Sequence, residues 1–456
     1  MKTLRSKITD SYLGIPSFVW LAALLSMVLR VAAAFYLGNK VVELPGIADQ
    51  NSYHQLALRV LDGQGFSFGQ TWWPLTAPDA PTAHWSFLYT FYLVIVYAVF
   101  GVNPIVPRII QAVVTAILQT LLVYQLASAI INRRGAIFAV FAMAGYSYFI
   151  YYAGALMTEP FYITAILASF WVSIKITRTQ KSSTSHLLGY SILLGFLLGI
   201  TILLRQLFLL FTPFLLGWIV YARWKNYGTV NWMPLVIPFV TVAILILPFT
   251  LYNYSRFDQF VLLNTNSGFA FFWGNHPIYG TKFVPILTRE MGSYEELIPL
   301  NLRKLSEAAM EKELLKLGLG FVLNDPIRYI QLSISRIPFY FVFWPSTDSG
   351  IVSNISRVLG FGLYLPFMVY GFIITFKNNW KLSLTNFSGL ALLFFVIYSG
   401  VHILTWTLIR YRLPIDAVFM VFVGASLERI SRIEKINRAL HGITGWFGGA
   451  HANSFH

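Results

Sequence analysis

The chain alternates between long apolar stretches and short clusters of basic residues. Several of the stretches are roughly 17–25 residues long, the length that a helix needs to cross a bilayer. Spans of this kind indicate helices rather than an outer-membrane barrel, whose strands are about half as long. The pattern predicts an all-α polytopic membrane protein with about 10–12 transmembrane helices, beginning with the stretch 18–38.

The basic clusters indicate how the chain is threaded. Cytoplasmic loops of membrane proteins carry an excess of lysine and arginine. Arg133 and Arg134 fall on the cytoplasmic side only if the preceding stretch 87–101 does not cross the membrane. We therefore predict a juxtamembrane or re-entrant helix over 87–101. With this choice Asp49, Glu159 and Arg205 all lie on the outer side.

The hydrophilic stretches divide the chain into four parts. Residues 1–251 are predicted to form a transmembrane module whose outer loop, 39–101, carries the site. Residues 252–336 are predicted to be extracytoplasmic, with an amphipathic surface helix over 301–316. Residues 337–428 then return to the membrane as the C-terminal helices, and residues 429–456 form a cytoplasmic tail.

The amino-acid composition further limits the class of protein to which the chain can belong. Only 11% of the residues are charged and 57% are hydrophobic, whereas soluble domains are usually about 25% charged. The net charge of +15 comes largely from the basic clusters between the apolar stretches. This distribution is explained by membrane topology and argues against nucleic-acid binding. The chain has no cysteine, which excludes disulfides and thiolate metal sites.

Two sparse carboxylates are the most informative polar residues. Glu159 is the only acid between Asp79 and Asp258, and a carboxylate at membrane depth indicates a functional site. Asp49 follows the first apolar stretch and begins a short helical pattern. The alternative for both is capping of a helix N-terminus, since Glu159 precedes Pro160. Capping and catalysis are compatible for Asp49. We predict that both acids are catalytic.

Basic side chains on the same side predict an anion site. Arginine suits phosphate because its fork of donors is bidentate and always charged. Arg205 lies within an apolar run, and Arg410 and Arg412 lie near the predicted outer face, where snorkelling to the interface is the alternative for both. His84 is a further candidate for phosphate or metal contact, although a lone histidine is more often a structural hydrogen-bonding residue. No cluster with zinc-ligand spacing is present in the sequence.

Several stretches, in this order and spacing, resemble the GT-C membrane glycosyltransferases. The resemblance covers roughly residues 18–430 and is strongest to the bacterial branch related to the lipid A aminoarabinose transferase and the protein O-mannosyltransferases. The matching stretches are ADQNSYHQLALRVLDGQGFS (48–67), PTAHWSFLYTFYLVIVYAVFG (81–101) with Arg108, GALMTEPFY (154–162), LLGITILLRQLFLLFTPFL (197–215), YNYSRFDQFVLLNTNSGFAFFWGN (252–275) and RYRLPIDAVFMV (410–421).

The resemblance implies a GT-C-like fold whose large first outer loop carries two juxtamembrane helices. It places one acid near the acceptor nucleophile, at Asp49, and a second in the next outer loop, at Glu159. A divalent metal ion at Asp49 is also compatible with this superfamily.

We therefore expect an inverting hexosyl or pentosyl transferase of the inner membrane, with its site facing the periplasm. The expected partners are the lipid bilayer, a polyprenyl-phosphate-linked sugar donor and a lipid, glycan or protein acceptor. Two other functions stay open. A secondary transporter would use Glu159 to carry a coupling proton, with inverted repeats that are not evident here. An envelope oligosaccharide ligase or polymerase would share lipid-linked donors but would lack the early aspartate loop.

Overall fold

The computed structural model describes residues 11–12, 14–180, 183–347, 349–377 and 380–449. Its regular structure is almost entirely helical. Within those ranges the strands are a two-residue antiparallel pair, β1 (Ser11–Tyr12) and β2 (Ile15–Pro16). The all-α class predicted from the sequence is confirmed.

Most helices follow one another with short connections, but residues 62–86 and 276–306 form two long ones. The α-helices of the first part are α1 (Ser17–Leu37), α2 (Asp49–Leu61), α3 (Phe87–Phe100), α4 (Ile105–Ser128), α5 (Arg133–Gly145), α6 (Ser147–Gly154), α7 (Glu159–Arg178), α8 (Thr184–Leu204), α9 (Thr212–Tyr227) and α10 (Met233–Phe257). Those of the second part are α11 (Ser267–Asn275), α12 (Glu307–Asn324), α13 (Pro326–Tyr340), α14 (Ile351–Arg357), α15 (Leu363–Lys377), α16 (Trp380–Ser383), α17 (Phe387–Leu404) and α18 (Leu413–Gly449). Short 3-10 helices cover Gln206–Leu210, Pro277–Tyr279, Arg289–Met291 and Ile409–Arg412, and a π-helix covers Val358–Gly362.

The described residues include seven helices long and apolar enough to cross a membrane, so the chain is a multi-pass membrane protein. An eighth span results if α5 and α6, which meet at a bend of 52°, are taken together. This is fewer than the 10–12 expected. Some apolar stretches form shorter helices, such as α3 with 14 residues and α9 with 16. In α18, the charged residues Asp416, Glu428 and Arg429 fall in or beside the apolar stretch.

Small residues let the membrane helices approach closely. Gly371 of α15 lies against α18, where an added Cβ would stand 1.8 Å from the carbonyl oxygen of Phe422. Gly424 of α18 likewise faces the backbone of Gly135 in α5, with 2.3 Å between an added Cβ and that carbonyl oxygen. Small residues at such crossings are the usual device of membrane helix packing. These contacts fix the position of α18 and of the 3-10 turn Ile409–Arg412, which directly precedes it.

The two ends of the helix bundle differ in charge. Helix α7 runs for 20 residues from Glu159 to Arg178, about 30 Å at 1.5 Å per residue. At the far end, Arg178 donates to the carbonyl of Ala129 (2.8 Å) and Arg223 donates to that of Thr179 (2.9 Å). The basic loops therefore gather one membrane thickness away from Glu159.

The loop 62–86 is fastened to the segment that follows α10 by a buried carboxylate. Glu307 accepts hydrogen bonds from the Thr76 hydroxyl (2.7 Å), the Ala83 amide (2.9 Å) and the Thr265 hydroxyl. Glu307 begins α12, six residues later than the start of the predicted surface helix. Ser306 sets this start, because its hydroxyl caps the helix by accepting from the Ala309 amide (3.4 Å).

Two other predicted boundaries can be compared with the helices. The division at 428/429 falls inside α18, which continues without a break to Gly449. Helix α3 is about 21 Å long at 1.5 Å per residue, shorter than the ~30 Å hydrocarbon core. That length agrees with the predicted juxtamembrane position. The basic residues near the N-terminus, Lys2, Arg5 and Lys7, lie outside the described residues.

Single cysteines in this cysteine-free chain test the threading. We expect Ala77→Cys, in the exposed part of the first outer loop, to react with a membrane-impermeant maleimide on intact cells. Arg133→Cys should react only after the membrane is opened or inverted, because Arg133 lies at the basic end. Labelling of both positions from the same side would contradict the arrangement.

Candidate functional site

Helix α2 places Asp49 at the mouth of the site. Asp49 is in the first turn of α2, where a carboxylate is favoured by the helix dipole. The neighbouring Gln50 holds the helix in position. Its amide nitrogen donates to the carbonyl of Val42 (2.6 Å), and its amide oxygen accepts from Arg108 (2.9 Å). The side chain of Asp49 is 26% exposed, so the carboxylate is open to a ligand.

Glu159 and Arg205 form an ion pair where two membrane helices end. Glu159 starts α7 and is only 1% exposed, and Arg205 follows the last residue of α8. The Arg205 Nη2 lies 2.5 Å from the Glu159 Oε1. The Arg205 Nε donates to the Thr158 hydroxyl (2.9 Å), which in turn lies 3.5 Å from Oε2 of Glu159. Both carboxylate oxygens of Glu159 are thus engaged.

Arg410 joins the two acids. It lies in the 3-10 turn between α17 and α18. Its Nη2 is 2.7 Å from the Asp49 Oδ2, and its Nε is 3.8 Å from the Glu159 Oε1. Asp49, Arg410, Glu159 and Arg205 therefore form a continuous chain of alternating charge, which we call the charge chain.

Tyr411 keeps the two guanidinium groups of the charge chain near each other. The guanidinium carbons of Arg205 and Arg410 each lie 5.5 Å from the centroid of the Tyr411 ring. Arg205 also lies 5.7 Å from the ring of Tyr162. Aromatic faces attract cations at this distance. The rings therefore help to hold two positive charges side by side.

The charge chain keeps its arginines protonated. Burial alone would lower the pKa of Arg410, but the fields of Asp49, Tyr411 and Glu159 outweigh it and raise that pKa well above its ordinary value. For Arg205 the same competition, with Glu159 as the chief partner, also raises the pKa. Both side chains are permanent cations at any physiological pH.

Arg412 points to a different partner. Its one ion pair within the described ranges is with Asp416, where the Nε–Oδ1 distance is 3.0 Å. Its Nη1 donates to the carbonyl of Tyr340 (2.8 Å), and Asp416 also accepts from the Tyr146 hydroxyl (2.6 Å). This buried network joins the bend between α5 and α6 to α13 and α18. Arg412 therefore braces the turn that presents Arg410, and the structure does not bring it to Asp49 or Glu159.

His84 lies beside the site as a neutral, half-buried side chain. Its ring packs against Trp85 and Phe269, with centroids 5.2 and 5.7 Å away. Burial lowers the pKa of His84, and the opposing fields of Glu307 and Asp49 recover only part of the change. Its Nδ1 has no hydrogen-bond partner in the described part of the chain. His84 can therefore offer a hydrogen bond to an anion but not a charge.

An open pocket of about 440 Å³ adjoins Asp49. It is lined by three tryptophans together with small polar residues of α2 and the following loop. Its residues are Glu43, Ala48, Asp49, Asn51, Ser52, Gln70, Thr71, Trp72, Trp73 and Trp85. The Trp72 indole is held in place because its Nε1 donates to the Ser52 hydroxyl (2.9 Å).

Three residues of the site and its pocket, Thr158, Tyr411 and Trp72, were not predicted individually from the sequence. Thr158 and Tyr411 adjoin Glu159 and Arg410 in the chain, and each contacts a guanidinium of the charge chain. Their position next to a predicted site residue was the available signal. For Trp72 the sequence showed only that residues 72–100 are rich in aromatic side chains, which interfacial belts also explain.

No protein-family model matches the chain, and no curated protein sequence matches it significantly. Solved structures do match. The archaeal oligosaccharyltransferase AglB from Archaeoglobus fulgidus, in complex with an inhibitory peptide and a dolichol-phosphate, aligns over 94% of this chain and 51% of its own, with 19% identity and a TM-score of 0.57. Its complex with Zn and sulfate aligns over the same shares with 16% identity and a TM-score of 0.57.

ArnT from Cupriavidus metallidurans bound to undecaprenyl phosphate aligns over 90% of this chain and 78% of its own, with 12% identity and a TM-score of 0.42. The fold assignment rests on the AglB alignments. The chain has the GT-C fold. It spans about half the length of the AglB structures that it matches. The GT-C-like architecture predicted from the sequence is thereby confirmed.

The described residues of this chain do not form a protein-held metal site. Within the described ranges, no group of three or more histidine, aspartate or glutamate side chains is placed to hold a metal ion. The position between Asp49 and Glu159 is taken by the Arg410 guanidinium. A divalent cation at Asp49 would stand against this fixed positive charge.

The charge chain predicts turnover that does not depend on a metal ion. We expect the purified protein to keep any transferase activity within about twofold after dialysis against EDTA, because two permanent cations, Arg205 and Arg410, already stand beside the two carboxylates. Metal analysis of the dialysed sample is the control. Loss of turnover that one divalent metal restores would contradict this prediction.

Proposed function

We propose that the protein is an inverting glycosyltransferase. It moves a sugar from a polyprenyl-phosphate donor to a lipid, glycan or protein acceptor at the extracytoplasmic face of the plasma membrane. The observation that carries the proposal is the charge chain, in which an accessible carboxylate stands beside two fixed guanidinium groups at a membrane boundary. The dolichol-phosphate complex of AglB, a protein with the same fold, adds support for a lipid-phosphate donor.

The arginines provide the binding site for the donor phosphate. Arg205 and Arg410 are 18% and 11% exposed, so each presents part of its guanidinium to the site. Guanidinium groups bind phosphate oxygens through paired hydrogen bonds, which fix orientation as well as charge. The same contacts stabilise the negative charge that develops on the leaving phosphate.

Asp49 acts as the general base in this mechanism. Its Oδ2 faces Arg410, whereas its Oδ1 accepts no hydrogen bond from any described residue. The acceptor oxygen attacks the anomeric carbon while the bond from that carbon to the phosphate oxygen breaks. The electron pair leaves with the polyprenyl phosphate, and the acceptor proton passes to Asp49. A single displacement of this kind inverts the anomeric carbon.

Glu159 has a different role from Asp49. Because it is buried and both of its oxygens are engaged, it is poorly placed to take a proton from an acceptor. It instead holds Arg205, and through the 3.8 Å contact Arg410, in the geometry that a phosphate requires. In this proposal Glu159 therefore orients the donor through the two arginines.

The basic loops support one orientation in the membrane. They gather at the end of α7 opposite to Glu159, and such loops favour the cytoplasm. The site would then face the periplasm of the inner membrane. Lipid-linked donors delivered to that face would meet the charge chain at the membrane boundary.

The role of Asp49 predicts the effect of its amide. Asp49→Asn keeps the shape of the side chain but removes the proton acceptor, so we expect transfer to fall about 10²–10⁴-fold. The measurement is release of polyprenyl phosphate from radiolabelled polyprenyl-phosphate sugars with a cell-envelope extract as acceptor. Asp62→Asn, an exposed acid after the other end of α2, is the matched control. Transfer at the wild-type rate by Asp49→Asn would refute this role.

Arg205 tests the phosphate site. Arg205→Lys keeps the charge but loses the fork of donors, so turnover should fall about 10–100-fold, as expected for loss of a charge-assisted hydrogen bond. Arg133→Lys, at the basic end, should change nothing. In the same assay Glu159→Gln should impair transfer. A transporter would instead show proton-coupled solute flux that Glu159→Gln abolishes, with no sugar cleaved from any lipid donor.

A further inference from the structure

The pocket beside Asp49 continues into a second one. The second has a volume of about 400 Å³ and is lined by Asn51, Gln55, Arg59, Phe68, Gly69, Gln70 and Trp72. Asn51, Gln70 and Trp72 line both pockets. Together the two form one groove that starts at Asp49 and follows α2. From Asp49 to Arg59 the groove covers about 15 Å of helix axis at 1.5 Å per residue.

One wall of the groove is a polar stripe of α2. Asn51, Gln55 and Arg59 are spaced four residues apart, which puts them on the same face of a helix. The side-chain amides of Asn51 and Gln55 make no hydrogen bond with any residue in the described ranges. Arg59 closes the far end, where it pairs with Asp79 and donates to the Ser67 hydroxyl (3.1 Å). The free amides each present two donors and an acceptor.

The opposite wall is aromatic and rigid. The rings of Phe68 and Trp72 are stacked, with centroids 4.7 Å apart and planes only 9° from parallel. Phe68 is only 1% exposed, so it supports the Trp72 ring from behind, and Trp72 presents the aromatic face of this wall. The hydrogen bond to Ser52 fixes the Trp72 indole. An aromatic face is electron-rich and attracts the weakly positive C–H groups of a sugar ring. Amides on one side and flat rings on the other match the polar edges and the apolar faces of a pyranose.

We propose that this groove binds the carbohydrate part of the acceptor, over more than one sugar unit. The inference rests on the proposed transferase reaction and names the acceptor class for the same site. The donor phosphate is assigned to Arg205 and Arg410, on the Glu159 side of Asp49, whereas the groove leads away along α2. The acceptor hydroxyl would therefore reach Asp49 from the groove.

The lining favours a glycan over the other two acceptor classes. Peptides bound as added strands need an exposed strand edge, and the groove walls are a helix and a loop without regular strands. A lipid chain needs an apolar surface, whereas Asn51, Gln55, Arg59 and Gln70 are polar. The cation at the end of the groove, Arg59, is already paired with Asp79, so it does not favour a charged ligand. Neutral oligosaccharides fit this lining best.

Binding of the full-length protein in detergent to immobilised ligands tests the inference. The probes are neutral oligosaccharides of two to six glucose, mannose or N-acetylglucosamine units, with synthetic peptides and phospholipids on the same surface. We expect at least one oligosaccharide series to bind. The double variant Asn51→Ala/Gln55→Ala should weaken that binding about 10–100-fold, the effect of losing two hydrogen bonds.

Two further variants complete the experiment. Trp72→Phe, which keeps a ring but not the indole N–H, should weaken binding less than Trp72→Ala. Gln64→Ala removes an exposed amide outside the groove and should bind like the wild type. Absence of oligosaccharide binding, or binding that the double variant leaves intact, would overturn the proposal that the groove binds a glycan. Peptide binding that the double variant abolishes would overturn it in favour of a protein acceptor.

Donor cleavage, measured in parallel, separates the two proposals. If the wild type releases polyprenyl phosphate but binds no oligosaccharide, the groove is wrong and the transferase stands. If oligosaccharides bind and the Asp49→Asn variant still binds them, but no lipid donor is ever cleaved, the transferase is wrong and the acceptor role falls with it.

Discussion

The alternating ion pairs of Asp49, Arg410, Glu159 and Arg205 are the constraint on which the rest of the structure depends. Each residue comes from a different part of the chain: the start of α2, the turn before α18, the start of α7 and the end of α8. Burying charges is costly unless each one is paired, and removal of one partner leaves the other uncompensated. The four segments are therefore coupled, and their relative positions are set by electrostatics as much as by packing.

Much of the remaining polar structure serves to hold those four segments. Glu307 fastens the loop 62–86, the Gln50–Arg108 contact holds α2, and the Arg412–Asp416 pair braces the turn that carries Arg410. The membrane helices supply the rigid base through close crossings such as that at Gly371. A site supported in this way is arranged before a ligand arrives, which is what efficient catalysis and binding require.

Sequence reasoning went furthest where the signal was local or strongly constrained by the membrane. Apolar length predicted the helical class, and charge distribution predicted that Asp49, Glu159 and Arg205 would lie on one side. It did not separate Arg410 from Arg412, which share the motif Arg-Tyr-Arg. Only the 3-10 turn and the position of Asp416 send the two guanidiniums to different partners. Length and apolarity alone pick out seven or eight of the 10–12 expected spans, because α9 has only 16 residues and α18 carries charged residues in its apolar part.

The role of His84 shows a second limit of the sequence. Its neutrality depends on burial against Phe269, a residue far away in the chain. The groove along α2 could likewise not be predicted from the sequence. Its amides are visible at a spacing of four, but the facing rings belong to a loop whose path depends on Glu307.

The charge chain is formally electroneutral, with two carboxylates balanced by two guanidiniums. An incoming phosphate adds negative charge and competes with Asp49 and Glu159 for the same donors. Of the two acids, Asp49 is the more exposed and is held by a single arginine. It is therefore the weaker competitor, and a bound donor would draw Arg410 away from it. The proposed base would thus be released by the arrival of the substrate that it serves, which places donor binding before deprotonation of the acceptor.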